Sequence, residues 1–447
     1  MQAIVKYSIK NPPMRRCFIS FLLLGFISIQ AQTTYFPPAV GNWDTLAPDS
    51  LGWCSDSLAA LQSYLDRVNS KAFIVLKDGK LVVEWYFDDF QPENSWYWAS
   101  AGKTMTATLV GLAQQEGLLS LDSATQTYLG RGWTSCDSVG EAAVTVWHQL
   151  TMTAGFNEAG YRWDCTDDTC LQCQVAPGSR WFYHNAPYTL LTSVVEAATG
   201  QRINAYFRSR IGNPIGMQTG GFVPVGSNRL FFSRARDMAR FGLLMLNQGQ
   251  WDGTAILSDT AYFQAMTTPS QGLNPAYGYL WWLNGQSSFM LPNTRQVFNG
   301  PLIPNAPTDL IAGLGANDQK LYVVPSQNLV IIRLGDDPGT GSLSVSSFDN
   351  VLWGKIAQLS ANCAQTTGLQ QPESLSWSVY PQPAKGTLHL QSETPLANAW
   401  LYSLQGQLLL EQAQPQTLAV EHLGPGIYLL EVEDEMGRRA RRKISLR

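Results

Sequence analysis

Trp96-Tyr97-Trp98-Ala99-Ser100-Ala101-Gly102-Lys103-Thr104 contains the only Ser-x-x-Lys of the 447-residue chain. Beyond it, Met105, Leu109, Leu112 and Ala113 recur at helical spacing, and Gly117 marks a stop. Residues i and i+3 of a helix share a face, so Ser100 and Lys103 can meet. A serine hydroxyl is a weak nucleophile until a base takes its proton. Burial disfavours the charged ammonium, which makes a lysine able to be that base. The plainer reading is Ser100 as a helix cap beside a solvated Lys103. Two rival motifs fail by one residue each: Trp98 stands where a Gly-x-Ser-x-Gly elbow needs its first glycine, and Tyr97 where a phosphate loop needs its own.

Working outward, Leu58, Leu61 and Leu65 predict a helix over 55–69. Runs Phe73 to Leu76 and Leu81 to Phe87 predict a hairpin, since Asp78-Gly79 between β-rich runs is a strong turn signal. The middle, about 100–250, reads as mostly helical. Strand patterns return at Lys320 to Val324 and Leu329 to Leu334, and a helix pattern covers Ser346 to Leu359. Helix and strands open the domain, and strands and helix close it. That order predicts an α+β fold: one antiparallel sheet flanked by terminal helices, plus a helical subdomain. The terminal helices should lie side by side, which would pair Cys54 with Cys363.

A second element is Tyr183-His184-Asn185, the only Tyr-x-Asn in the chain. In extended backbone i and i+2 point the same way, so a phenol and an amide enter one site. The alternative is Asn185 as N-cap of the helix expected from Pro187 to Thr199. No HExxH occurs, and only His148 and His184 lie in this region, which excludes a His-rich metal site. Both histidines read as structural.

These motifs, in this order, resemble the serine β-lactamase and penicillin-binding-protein superfamily, in its class C and esterase-like branch. The resemblance spans about 53–363 and includes His148-Gln149-Leu150-Thr151-Met152-Thr153-Ala154-Gly155, Tyr277-Gly278-Tyr279-Leu280-Trp281-Trp282 and Leu321-Tyr322-Val323-Val324-Pro325. It implies that Ser100 is an acylated nucleophile, Lys103 its base or proton relay, and Tyr183 a proton carrier, while Asn185 holds the substrate. Where relatives carry Lys-Thr-Gly or His-x-Gly, this chain has Gly313-Leu314-Gly315, then Ala316-Asn317-Asp318-Gln319. The cation that holds a substrate carboxylate is missing. The resemblance then implies an esterase or amidase rather than a β-lactamase or D-Ala carboxypeptidase. A binding protein on the same scaffold is the non-enzymatic alternative. Gly315 and Ala316 would line the oxyanion site, and Gln319 or Asn317 would replace the lost polar group. No cofactor or metal is implied.

Both ends of the chain read as export signals. Met14-Arg15-Arg16, an apolar run from Cys17 to Ile29 and then Gln30-Ala31 predict a signal peptide over 1–31. Six later cysteines, at 54, 136, 165, 170, 173 and 363, suggest disulfides. Cys170-Leu171-Gln172-Cys173 leaves zinc as a rival, though one such pair gives too few ligands. Residues 364–376 read as a linker. From 377 to 447, short strands broken by Gly and Pro predict a small all-β sandwich. Its Tyr-Pro-x-Pro opening, Gly426-Ile427-Tyr428 and basic end resemble the C-terminal sorting domain of type IX secretion, which implies the export machinery as partner and secretion or the cell surface as destination. Charged residues are 14% and the net charge is −4, so nucleic acid is not an expected partner. No segment after the signal is long and apolar enough to span a membrane.

Overall fold

The computed structural model describes residues 34–158, 165–339, 345, 347–361, 375, 377–392, 394–403, 408–435 and 439–447. The expected signal peptide and most of the expected linker lie outside them. The chain divides into two compact units, 1–362 and 363–447.

The first unit opens with helix α1 (Ser55–Arg67) and the hairpin β1 (Ser70–Lys77) and β2 (Lys80–Tyr86). Asp78 and Gly79 take φ of 53° and 81°, the left-handed pair that a two-residue hairpin requires. The remaining framework is α2 (Lys103–Gln115), α3 (Asn185–Thr199), α4 (Ala235–Leu246), β3 (Trp282–Leu283), β4 (Ile311–Gly315), β5 (Gln319–Val324), β6 (Leu329–Gly335) and α5 (Ser347–Ala361). The strands form one antiparallel sheet in the order β2-β1-β6-β5-β4-β3. The α+β architecture expected from element order, one antiparallel sheet with helices at both ends of the domain, is therefore present.

Every residue of β4, β5 and β6 is buried, so both faces of the sheet are covered. On one face, Gly242 lets α4 approach closely: a Cβ there would fall 2.5 Å from Val330 Cγ1 and 2.9 Å from Leu321 Cδ1. On the other face, Tyr322 meets Trp353 of α5 edge to face at 5.6 Å. The start of α1 meets the end of α5, where Cys54 N donates to Leu359 O at 2.9 Å. Cys54 is disulfide-bonded; its expected partner, Cys363, lies outside the described residues.

One expectation changes in kind. An apolar face was predicted for α2, yet every residue from Lys103 to Ala113 is buried. The helix is enclosed by its neighbours, packing against α3 as well as the turn before it. Its threonines fit there because Thr104 and Thr108 donate their hydroxyls to the carbonyls of Ala101 and Thr104 at 2.7 and 2.9 Å. Disulfides Cys136–Cys173 and Cys165–Cys170 staple the loop region before α3. The two cysteines of the CxxC thus belong to different disulfides.

The second unit holds two sheets. Strands β7 (Trp377–Tyr380), β8 (Thr387–Ser392) and β11 (Thr417–Ala419) form one, in the order β7-β8-β11. The other is β10 (Leu408–Ala413), β9 (Leu396–Tyr402), β12 (Gly426–Asp434) and β13 (Arg439–Leu446), in that order. Leu388, Ala399, Leu401, Leu418 and Leu430 are fully buried in their shared core. The basic strand β13 is paired rather than merely solvated: Arg441 meets Glu431 at 2.9 Å, and Arg439 bonds Glu433.

The contact at Gly242 gives a direct test of the packing. Gly242→Leu should destabilise the first unit by roughly 2 kcal/mol or more through overpacking and lower the melting temperature by several degrees. A wild-type melting curve would contradict the close approach of α4 to the sheet.

Candidate active site

Ser100 lies half-buried on a single 3-10 turn, Ala99–Gly102, immediately ahead of α2. The turn is anchored by the residue before it. Trp98 is fully buried, its indole N–H donates to Ser233 Oγ at 2.9 Å, and its ring meets Phe231 edge-on at 4.7 Å. Ala99 takes φ 47°, a left-handed conformation that costs a non-glycine residue about 1–3 kcal/mol and persists only where the surroundings impose it. Strand β4 runs beside this turn, and its glycines permit the approach. A Cβ on Gly315 would lie 2.4 Å from Trp98 O, and one on Gly313 would lie 3.1 Å from Thr104 Cγ2.

Lys103 is 1% exposed. Its Nζ lies 2.8 Å from Ser100 Oγ and 2.9 Å from Asn185 Oδ1. The rings of Tyr183 and Tyr188 flank it, with centroids 4.7 and 3.9 Å from Nζ. Among the described residues no carboxylate lies within ion-pair distance of it. Desolvation therefore holds its pKa well below the ordinary lysine value. An amine placed so can take a proton from the serine it touches.

Tyr183 and Asn185 converge as the extended segment predicted. His184 has φ −112° and ψ 117°, and α3 begins at Asn185. Asn185 is thus not the cap: its amide oxygen is directed to Lys103. Tyr183 is buried among aromatic rings, stacked on Trp282 at 5.9 Å and near Tyr277 and Trp181 at 6.2 and 6.3 Å. His184 is buried edge-on against Phe156 and Phe182, and that burial lowers its pKa to about 4, so it is neutral at ordinary pH. The His148 ring caps the short helix Val146–Leu150, with Nδ1 accepting from Thr145 N at 3.1 Å.

The third motif departs from expectation at one residue. Gly313 leaves the cation position of β4 empty of any side chain, and Ala316 is half-buried at the start of the following turn. Gln319, expected to replace the lost polar group, is fully buried and occupied by backbone. Its Nε2 donates to Gly335 O at 2.6 Å, and its Oε1 accepts from Gly335 N at 3.0 Å. Gln319 braces β5 against β6. Asn317, half-buried, donates from Nδ2 to Tyr97 OH at 2.8 Å.

Tyr188 escaped the sequence reading, although a signal existed: it lies three residues after Asn185 on the same helical face.

Two family models match the chain. "Beta-lactamase" covers residues 59–342, and "Secretion system C-terminal sorting domain" covers 378–446. An uncharacterized protein of Alkalihalophilus pseudofirmus is 24% identical over an alignment of 272 residues that covers 54% of this chain and 74% of that one. Among solved structures, a proposed 6-aminohexanoate-dimer hydrolase from Bacillus anthracis aligns with TM-score 0.55 and 20% identity over 73% of this chain and 89% of that one. A proposed β-lactamase from Bacteroides dorei gives TM-score 0.55 and 16% identity over 69% of this chain and 100% of that one. A penicillin-binding-protein homologue from Caulobacter crescentus gives 0.52 and 16%, over 69% and 98%. At such identities the structures speak to the fold. The sorting domain marks the protein for type IX export to the cell surface or beyond, and among the described residues no helix is long and apolar enough to cross a membrane. With the family match extending over more than half of the chain and the fold agreeing, the chain belongs to the Beta-lactamase family of serine-hydrolase-like proteins.

Proposed function

We propose that the protein is an exported serine hydrolase that works through an acyl-enzyme. The observation that carries this reading is the 2.8 Å contact between Ser100 Oγ and the buried Nζ of Lys103. Neutral Lys103 takes the Ser100 proton as Oγ attacks the carbonyl carbon. The oxyanion is held in this scheme by the backbone N–H groups of Ser100 and Ala316; Gly315, which lacks a Cβ, lets β4 lie against the Trp98–Ala101 turn. The proton then passes, through Tyr183, to the leaving alcohol or amine. Water enters, gives its proton to the same Lys103–Tyr183 pair, and cleaves the acyl-enzyme by the reverse route. Asn185 fixes the Lys103 amine with its Oδ1 and faces the substrate's acyl or amide side.

The substrate class follows from Gly313. With no cation on β4, a substrate carboxylate gains no partner there, so esters, amides or D-amino-acid peptides with uncharged acyl groups fit better than β-lactams. The Bacillus anthracis neighbour, a proposed 6-aminohexanoate-dimer hydrolase, agrees with amide cleavage on this fold.

Two predictions follow the roles of these residues. Lys103→Ala and Tyr183→Phe should each lower kcat on p-nitrophenyl esters by roughly 10²-fold or more. Turnover that survives unchanged in Ser100→Ala would refute the nucleophile assignment. The second concerns stability. A lysine whose folded pKa is depressed binds fewer protons folded than unfolded, so it costs stability below that pKa, and the cost fades as pH rises toward the unfolded value. Lys103→Met should therefore raise the melting temperature at pH 6, with a gain that shrinks toward pH 10. A gain that grows with pH would contradict a neutralised lysine.

A further inference from the structure

Behind the turn Ala316–Asp318 lies a cluster of charges that the reaction scheme does not use. Lys320 Nζ is 2.8 Å from Asp318 Oδ1 and 2.9 Å from Asp349, and all three side chains are 0–1% exposed. Tyr322 donates its hydroxyl to Asp349 Oδ1 at 2.5 Å. Beside them, fully buried Arg333 donates from Nη1 to Asn317 O at 2.7 Å and to Asp318 O at 3.0 Å. Its Nη2 reaches Val68 O at 2.7 Å and Asp336 O at 3.1 Å. Gln319 Nε2 adds contacts of 3.3 and 3.2 Å to the carbonyls of Ala316 and Asn317. All three carbonyls of the turn are thus held by buried side chains drawn from β5 and β6.

The turn needs such restraint. Asn317 and Asp318 both take φ 56°, two successive left-handed residues that are not glycine, a conformation L-residues avoid. The same strands are otherwise largely apolar. Neighbouring positions of the same strands, Leu321, Val323, Ile331 and Ile332, are plain apolar core. Replacing a buried ion pair by apolar groups is often neutral or stabilising, so the cluster is an expensive way to fill a core. It is placed where a strained turn follows Gly315, whose missing Cβ would lie 3.0 Å from Ala101 N. Any drift of the turn therefore moves Ala316 relative to Ser100.

We propose that Lys320, Asp349 and Arg333, with Asp318 of the turn itself, are positioning residues that lock the Ala316–Asp318 turn in the geometry of the oxyanion site. Through Asp349 the closing helix α5 acts on catalysis without touching the substrate. This inference rests on Ala316 as an oxyanion donor in the proposed function.

The test uses the full chain, p-nitrophenyl acetate, and active sites counted by the acylation burst. Asp349→Asn keeps the shape of the side chain and removes its charge. Asp318→Asn/Lys320→Met/Asp349→Asn removes both ion pairs of Lys320 together and leaves Arg333 on its backbone carbonyls. Tyr322→Phe deletes only the hydroxyl bonded to Asp349. Expected is a fall in kcat per counted site of about 10-fold or more in the first two, consistent with the roughly 10²-fold sensitivity of catalysis to misplacement of about 1 Å. Tyr322→Phe should show a smaller fall in the same direction. KM should stay within about twofold throughout, because the ground-state contacts are untouched. A merely structural cluster would change the melting temperature and leave kcat per site alone. Wild-type kcat in any of these variants that folds overturns the proposal. A wild-type protein with no acylation burst would instead count against the proposed function, so the two failures are distinguishable.

Discussion

One buried lysine, without a counter-ion among the described residues, organises this site. Lys103 is enclosed on an enclosed helix, and its amine meets a serine hydroxyl, an amide oxygen and two tyrosine rings. Placing an ammonium there without a carboxylate is unfavourable, and the pKa moves to relieve it. In the proposed scheme, the same burial that costs stability creates the base. Asn185 and the rings of Tyr183 and Tyr188 are then needed to keep the amine in place, which ties α3 to α2.

The other half of the site depends on close backbone approach. Trp98, pinned by Ser233 and Phe231, presents the Ser100 turn, and the glycines of β4 let the sheet lie against it. A side chain at 315 would push the strand away from the Ser100 turn, and one at 313 would crowd Thr104. Beyond β4, left-handed Asn317 and Asp318 reverse the chain under the hold of Arg333 and Lys320.

Local features of this arrangement were legible in the sequence. The i, i+3 spacing of Ser100 and Lys103, the i, i+2 spacing of Tyr183 and Asn185, and Asp78-Gly79 each encode a geometry within a few residues. The terminal helices and the strands beside them followed from periodicity. What escaped is long-range. Strand β4 is short and rich in glycine, and the edge strand Trp282–Leu283 has two residues, so neither shows a period. Gln319 looked free to meet a substrate because its partner, Gly335, lies 16 residues away across a strand pair. The all-round burial of α2 escaped because its threonines look polar in sequence and bond their own helix in the fold. The charge cluster joins Val68 to Arg333, 265 residues apart, and no local pattern records that.

Export and chemistry meet in one chain: a Beta-lactamase family unit followed by a sorting unit that type IX machinery reads. The central claim is that Ser100 becomes acylated because Lys103 activates it. Intact-mass spectrometry after treatment with a fluorophosphonate, followed by peptide mapping, tests this most directly. The account predicts one adduct, on Ser100, formed much more slowly in Lys103→Ala and absent in Ser100→Ala. An adduct on another residue, or labelling of Ser100 at the wild-type rate without Lys103, would contradict it.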